Sequence, residues 1–327
     1  MIKILDNYKK QVFPFILKYL QDNLGSDFHY QITSDYPLRQ GKYLRPSLLL
    51  MTAGSLGFDI NKAISTAAAM QISEDWILNH DDIEDDSHQR RGLPSLHHQI
   101  GIPLAINAGD ALHALNWQLI HSLDNEAIFK EFSKIINQTI SGQTYEIKII
   151  QDQKFDLKIE EVYKIIESKT CYYTISGPMR LGAILAQASQ KQLDLLYQFG
   201  LYLGKAFQII DDYLDLTSDF SGQKKQLGND IYEGKRTVFL FHLLQNCQDP
   251  KIIEILKKDR SQKTEAEIIY IISLMKKYKS LDYGYNLALD FAQKANHFFD
   301  KELSFLAQEP YRQQLKQTID FIVHRQK

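Results

Sequence analysis

The chain has 327 residues, 44% hydrophobic and 24% charged, with a formal net charge of −2. That balance suits a globular protein with a sizeable core and gives no basic footprint for nucleic acid. Only 16 glycines and 8 prolines are present, which leaves little turn chemistry for an all-β fold.

From the N-terminus, MIKILDNYKKQVFPFILKYL is interrupted by charges and lacks a small-residue cleavage site, which argues against a signal peptide. Gly41-Lys42-Tyr43-Leu44-Arg45-Pro46 opens a helix, and apolar residues at helical spacing run from near Leu48 to Leu56. Ala63–Leu78 is a second such segment, with Asp59 or Asn61 placed to cap it. Ile102–Ile120, Ile128–Ile150, Val162–Leu185 and Leu193–Leu216 follow, and further helices fill the rest. Gly177-Pro178 is expected to kink or break its segment, because proline removes a helix donor. Cys171 and Cys247 stand far apart without CxxC spacing, as for two unpaired thiols in a reducing cytosol. No apolar run reaches the roughly 18 residues of a membrane span, and no alternating strand pattern appears. The expectation is one all-α domain over residues 1–327, with about ten or more helices, in a cytoplasmic protein.

Two acidic clusters interrupt this pattern. Asp81-Asp82-Ile83-Glu84-Asp85-Asp86 follows the apolar Trp76-Ile77-Leu78, and Asp81 and Asp85 lie one helical turn apart. Like charges at that spacing repel by roughly 0.2–0.5 kcal/mol per pair, a repulsion that a cation converts into coordination. One such run alone reads as a solvated helix end. Asp211-Asp212-Tyr213-Leu214-Asp215 repeats the DDxxD spacing at the end of a second apolar helix, and that repetition points to paired hard-oxygen sites. Mg2+ suits them, since it binds through one or two carboxylates and substrate phosphate oxygens. Cations for a diphosphate stand nearby in sequence: Lys42 and Arg45, Arg90 and Arg91, Lys169, Lys225 and Lys235. Each alone reads as a surface charge; their placement around two acidic clusters does not.

These motifs resemble the trans-isoprenyl diphosphate synthases, the farnesyl, geranylgeranyl and longer polyprenyl enzymes. Gly41–Pro46 resembles the family's GKxxRP segment, His80–Gly92 its first aspartate-rich motif and arginine pair, and Asn107–Asp110 its NxGD. Lys169-Thr170 matches a KT pair, and Phe207–Asp215 resembles the second aspartate-rich motif. Lys225, Gly228-Asn229-Asp230 and Gly234–Thr237 match most of a GKxxGxD…GKxT stretch, with Lys224 where its first glycine is usual.

The resemblance implies an isoprenoid synthase fold, a bundle of helices around a deep central cavity, in a homodimer without membrane span or nucleic acid partner. It implies about three Mg2+ ions with substrate bound, with Mn2+ able to substitute. Asp81, Asp85 and Asp211 would hold them against the allylic diphosphate, supported by Asp82, Asp212 and Asp215. Arg90, Lys169 and Lys235 would neutralise that diphosphate, and Lys42, Arg45 and Arg91 would hold that of isopentenyl diphosphate. Thr170, Phe207, Gln208 and Lys225 would line the reacting centre. The implied product is a farnesyl or geranylgeranyl diphosphate, with Trp76 and Ile77 forming a floor that stops elongation; without the motifs Trp76 reads as a large core residue.

One position departs from the family. Seven residues before Asp81, where His or Gln is usual in the isopentenyl diphosphate site, stands Glu74, followed by Asp75. A carboxylate there repels a diphosphate unless it is protonated or paired, so either a local Lys or Arg pairs with Glu74 or the site has shifted. Two other readings remain: a class I terpene cyclase, which usually carries an Asn/Ser/Glu-type second metal motif, and a non-catalytic regulatory subunit, which would be expected to lose motif residues.

Overall fold

Apolar residues at three- and four-residue spacing form helices through most of the computed structural model, which describes residues 1–217 and 227–324. No helix among them is long and apolar enough to cross a membrane. The chain divides into two compact units. The first contains Met1–Ser133, Gly177–Asp194 and Phe305–Leu315; the second contains Lys134–Ser176, Leu195–Ser304 and Lys316–Lys327.

The first unit is organised by the helix Ile64–Glu84, which packs on Ile2–Leu24, Leu44–Ser55 and Ile102–Ser122. Ala67, Ala68 and Ala69 are fully buried, so neighbouring helices approach closely, and a helix enclosed on most sides belongs in a core. Its entry is set by Asp59, whose carboxylate accepts from the Asn61 amide at 3.0 Å and caps the short turn Ile60–Ala63. The buried polar residues on this helix find partners, as buried polar groups must. Asn79 Nδ2 donates to the Ala105 carbonyl at 2.7 Å, and Ser73 donates to the Met70 carbonyl at 2.7 Å. Gly109 of the NxGD segment sits at this crossing, where a Cβ would fall 2.3 Å from His80 Nε2.

In the second unit the part of Gln190–Thr217 from Leu195 onward carries the second acidic cluster, alongside Val238–Asn246, Glu265–Lys277 and Ser280–Glu302. Aromatic contacts join them: Phe199 meets Phe299 with ring centroids 5.7 Å apart, and Tyr213 meets Tyr285 at 5.1 Å. Cys171 and Cys247 are free thiols, both buried.

One expectation is met in an unexpected form and one needs correction. The Val162–Leu185 segment, expected to kink or break at Gly177-Pro178, changes helix type there. It is an α-helix over Ile159–Ile166, a π-helix over Glu167–Ser176 and an α-helix over Gly177–Leu185. Pro178 offers no N–H to the carbonyl four residues back, and the wider register takes up the misfit upstream. A short antiparallel strand pair also exists, Gln89–Arg90 with Leu93–Pro94, in which Arg90 faces Leu93. Its connecting residues Arg91 and Gly92 have φ of 53° and 80°, the left-handed values of a type I′ hairpin turn. Two-residue strands carry no alternation that a sequence pattern can display.

The Leu44–Ser55 helix, which carries Arg45, is set against Gly177–Leu185 through Gly182. A Cβ there would stand 2.2 Å from the Leu49 carbonyl oxygen, a backbone atom that cannot swing aside. Gly182→Ala should therefore destabilise the protein by on the order of 2 kcal/mol or more, read from urea denaturation. An unchanged midpoint would show that the two helices can separate.

Candidate active site

The last turn of Ile64–Glu84 concentrates negative charge, and the hairpin beyond it returns the compensating cations. The helix ends at Glu84, and Asp85 caps it, its amide donating to the Asp81 carbonyl at 2.9 Å. Asp82 is fully buried. Arg90 Nε donates to its two oxygens at 3.0 and 3.1 Å, and Arg90 Nη2 and the Tyr36 hydroxyl donate to it as well. Arg90 Nη2 also lies 3.7 Å from Asp81 Oδ2. Burial disfavours the Arg90 charge, yet Asp82 outweighs it and holds the guanidinium above its ordinary value.

Arg91, next along the turn, reaches two turns further towards the helix N-terminus on the same face. Its Nη1 donates to Asp75 Oδ1 at 2.8 Å and to the Tyr36 carbonyl at 2.9 Å, and its Nη2 meets Glu74 Oε1 at 3.3 Å. Arg45 Nη1 meets the other Glu74 oxygen at 2.9 Å. Glu74, the departure from the family pattern, is thus paired to two arginines. Burial opposes its ionisation, but Arg45 and then Arg91 prevail and hold its carboxyl below the usual range. Asp75 behaves oppositely: burial pushes its carboxyl up to about 6, against the pull of Arg91 and with a further push from Glu74. Lys42 is exposed, just before the helix that carries Arg45.

Trp76 is buried beneath this station, with Ile77 half-buried beside it. The indole packs on the His113 ring at 4.6 Å between centroids, and edge-on to His80 at 5.8 Å. His113 Nε2 accepts from Trp117 Nε1 at 2.7 Å, extending the aromatic ladder along Ile102–Ser122.

In the second unit, Thr170 in the π-helix donates to Gln208 Oε1 at 2.7 Å, and Gln208 Nε2 donates to Asp212 Oδ1 at 2.7 Å. Phe207, beside Gln208, is half-buried. Asp211 is exposed, whereas Asp212 and Asp215 are buried. Asp215 Oδ2 accepts from the Asp230 amide at 3.1 Å, which brings the Gly228–Asp230 turn against the cluster. Burial and then Asp230 push the Asp212 carboxyl well up, and burial and then Asp215 raise that of Asp230. Such crowding among oxygen donors is what a hard divalent cation relieves, so this donor set fits Mg2+.

Two of the expected site cations of this unit, Lys169 and Lys235, have carboxylate partners. Lys169 Nζ donates to Glu146 Oε2 at 2.8 Å. Lys235 Nζ bonds Glu233 and lies 3.7 Å from Asp230 Oδ1. Tyr36, Asp75, Glu146, Asp230 and Glu233 are site residues that sequence reasoning did not assign; only Asp230 lay inside a matched motif. Lys225 falls outside the described residues, as does Lys224.

Paired aspartate-rich stations with basic partners on an all-α frame define an isoprenoid synthase fold. The chain belongs to the polyprenyl synthetase family, whose model matches residues 28–275, and with it to the trans-prenyl diphosphate synthases, which are prenyltransferases. It is 33% identical over 300 residues to the geranylgeranyl diphosphate synthase of Sulfolobus acidocaldarius, covering 89% of this chain and 90% of that one. It is 30% identical over 304 residues to the octaprenyl diphosphate synthase of Haemophilus influenzae, covering 89% of each. Among solved structures, polyprenyl synthase from Caulobacter crescentus, complexed with calcium and isoprenyl diphosphate, superposes with a TM-score of 0.87. Its identity is 25%, over 100% of this chain and 98% of that one.

Asp75 gives the first station a pH signature. Its folded value, about 6, lies above the roughly 3.9 of an unfolded aspartate, so the fold favours the proton. That contribution is full below the unfolded value and lost as pH rises through about 6. Asp75→Asn should flatten the fall in stability between about pH 4.5 and 7, a difference on the order of 2 kcal/mol in urea denaturation. Parallel pH profiles for the two proteins would mean that Asp75 ionises as an ordinary carboxylate.

Proposed function

We propose that the protein condenses an allylic diphosphate (dimethylallyl, geranyl or farnesyl) with isopentenyl diphosphate, head to tail, releasing pyrophosphate. The observation that carries this reading is the pairing of Asp81/Asp85 and Asp211/Asp212/Asp215 with separate cation sets in a chain of this family. Asp81, Asp85 and Asp211 are the residues we assign to Mg2+, with Asp82, Asp212 and Asp215 in support. Bound there, Mg2+ neutralises charge on the allylic diphosphate as its carbon–oxygen bond breaks.

Arg90, Lys169 and Lys235 add fixed positive charge where the leaving pyrophosphate becomes more negative. Lys42, Arg45 and Arg91 hold the second diphosphate, with Glu74 keeping Arg45 and Arg91 oriented between turnovers. The isopentenyl double bond attacks the allylic cation, and the departing pyrophosphate takes the proton released. Thr170 and Gln208 position Asp212 through their hydrogen-bond chain. No side-chain nucleophile is required. The second cation station and a second DDxxD favour elongation over cyclisation, and retention of the motif residues favours catalysis over a regulatory subunit. The assembly we propose is a homodimer, one catalytic domain per chain.

Turnover should require Mg2+ or Mn2+, and Asp81→Ala or Asp211→Ala should lower it on the order of a hundredfold or more, with little loss of stability. Pyrophosphate release with isopentenyl diphosphate and each allylic primer measures this. Near-normal turnover by either folded variant would remove the metal assignment.

The product we propose is farnesyl or geranylgeranyl diphosphate. The growing chain runs along Ile64–Glu84 from the metals towards the helix N-terminus, and Trp76, one turn below Asp81, meets it. The ladder of Trp76 on His113 and His80 gives that floor rigidity. One helical turn rises about 5.4 Å, comparable to an isoprene unit, so clearing Trp76 opens the level of Ile72 and Ser73. Trp76→Ala should lengthen the main product by one or more isoprene units, seen by chromatography of the dephosphorylated alcohols. Unchanged length from an active variant would place the floor elsewhere.

A further inference from the structure

A group of donors outside the proposed reaction stands at the base of the Gln89–Pro94 hairpin. Asp86, His97 and His98 each offer one ligand atom, all within 4.8 Å of one another. His97 Nε2 lies 3.6 Å and His98 Nε2 3.5 Å from the same Asp86 oxygen. Both separations are too long for hydrogen bonds. They match instead two donors sharing one tetrahedral ion, which bonds of about 2.0–2.1 Å place roughly 3.4 Å apart.

His97 carries the argument. Its side chain is 5% exposed, and neither ring nitrogen has a hydrogen-bond partner. Burying an imidazole with both nitrogens unsatisfied costs free energy that ligation recovers. The surroundings hold the donors in place. Asp86 adopts a left-handed φ of 49°, which turns it back from the helix end. The Ser95 amide donates to the His88 carbonyl at 3.0 Å, closing the hairpin one step above the donors. The His88 ring stacks on His98 at 4.8 Å between centroids and fixes its plane.

We propose that Asp86, His97 and His98 bind a divalent transition-metal ion of the zinc class, distinct from the Mg2+ stations. Two imidazoles and one carboxylate suit zinc-like ions, whereas the all-oxygen clusters suit Mg2+. The ion clasps the two ends of the segment that presents Arg90 and Arg91, joining Asp86 before the hairpin to His97 and His98 after it. A water completes the coordination.

Full-length protein in excess Mg2+, which occupies the oxygen clusters, is titrated with Co2+ and followed by its visible absorption, and with Zn2+ by calorimetry. One ion per chain with a tetrahedral Co2+ spectrum is expected. His98→Ala, at a half-exposed position, and Asp86→Asn should each weaken binding at least tenfold, while Asp211→Asn leaves it unchanged. Zn2+ should also protect the hairpin from proteolysis in the wild type and not in His98→Ala. Absence of the tetrahedral spectrum, equal affinity in folded His98→Ala, or loss of the site in Asp211→Asn would overturn the assignment.

Discussion

The buried carboxylate of Asp82 is the constraint on which the first catalytic station depends. An ion taken fully out of water costs several kcal/mol unless a partner meets it with good geometry, and Asp82 receives donors from Arg90 and Tyr36. Arg90 lies eight residues further on, past the end of the helix, so the chain must fold back within a few residues. Asp86, at a left-handed φ of 49°, lies within that return, and the left-handed pair Arg91-Gly92 turns the chain again just beyond Arg90; glycine accepts its φ without penalty whereas Arg91 does not. The unfavourable φ of Arg91 is offset by what it gains, the carboxylates of Asp75 and Glu74 and the Tyr36 carbonyl. Asp82 thereby orients Arg90, and Asp75, two turns earlier on the same face of the helix, orients Arg91.

Charge compensation follows the same rule in both units. Arg45 and Arg91 rest on Glu74, Lys169 on Glu146, and Lys235 on Glu233. A cation held this way is already partly desolvated and fixed in place, so less reorganisation accompanies the arrival of an anion. The acids of Asp211–Asp215 and Asp230 differ, because burial, and then repulsion among them, exceeds what Lys235 offsets: Asp212 and Asp230 are both driven towards protonation. One set of groups is balanced before substrate arrives and the other is short of positive charge. That asymmetry suits a site that takes its diphosphate together with divalent cations.

Much of this was legible in the sequence because the chemistry demands fixed spacing on helices. Asp81 and Asp85, Asp211 and Asp215, and Lys169-Thr170 stand out by residue type and interval alone. The helix expected over Leu193–Leu216 is present as Gln190–Thr217, since a long apolar period tolerates little ambiguity. The partners were not legible. Glu146 is one of three acids on the amphipathic helix Glu126–Gln151, with no spacing that marks it, and Tyr36 lies far from Asp82 in sequence; only folding selects them. The turn at Arg91-Gly92 was hidden because arginine is a poor indicator of left-handed backbone. The π-helix was visible only as an expected fault at Gly177-Pro178, since a sequence marks where an α-helix cannot continue and not which register replaces it.

The floor we propose at Trp76 would set product length by a different kind of feature, the shape of a wall. The polyprenyl synthetase relatives at 33% and 30% identity bear names for products as different as geranylgeranyl and octaprenyl diphosphates, so overall similarity does not encode the length. The wall on Ile64–Glu84 couples Trp76, His113 and Trp117 by ring contact and one hydrogen bond, while the Trp76 indole N–H is buried without a hydrogen-bond partner. An indole so placed is held by packing alone, which leaves its position sensitive to volume changes on the neighbouring helix. Substitutions at His113 or Trp117, about three and four turns along Ile102–Ser122, therefore bear on the same ladder as Trp76 itself. With the floor we propose, substitutions at such neighbours would shift product length without touching the aspartates, so the acidic motifs are silent on where elongation stops.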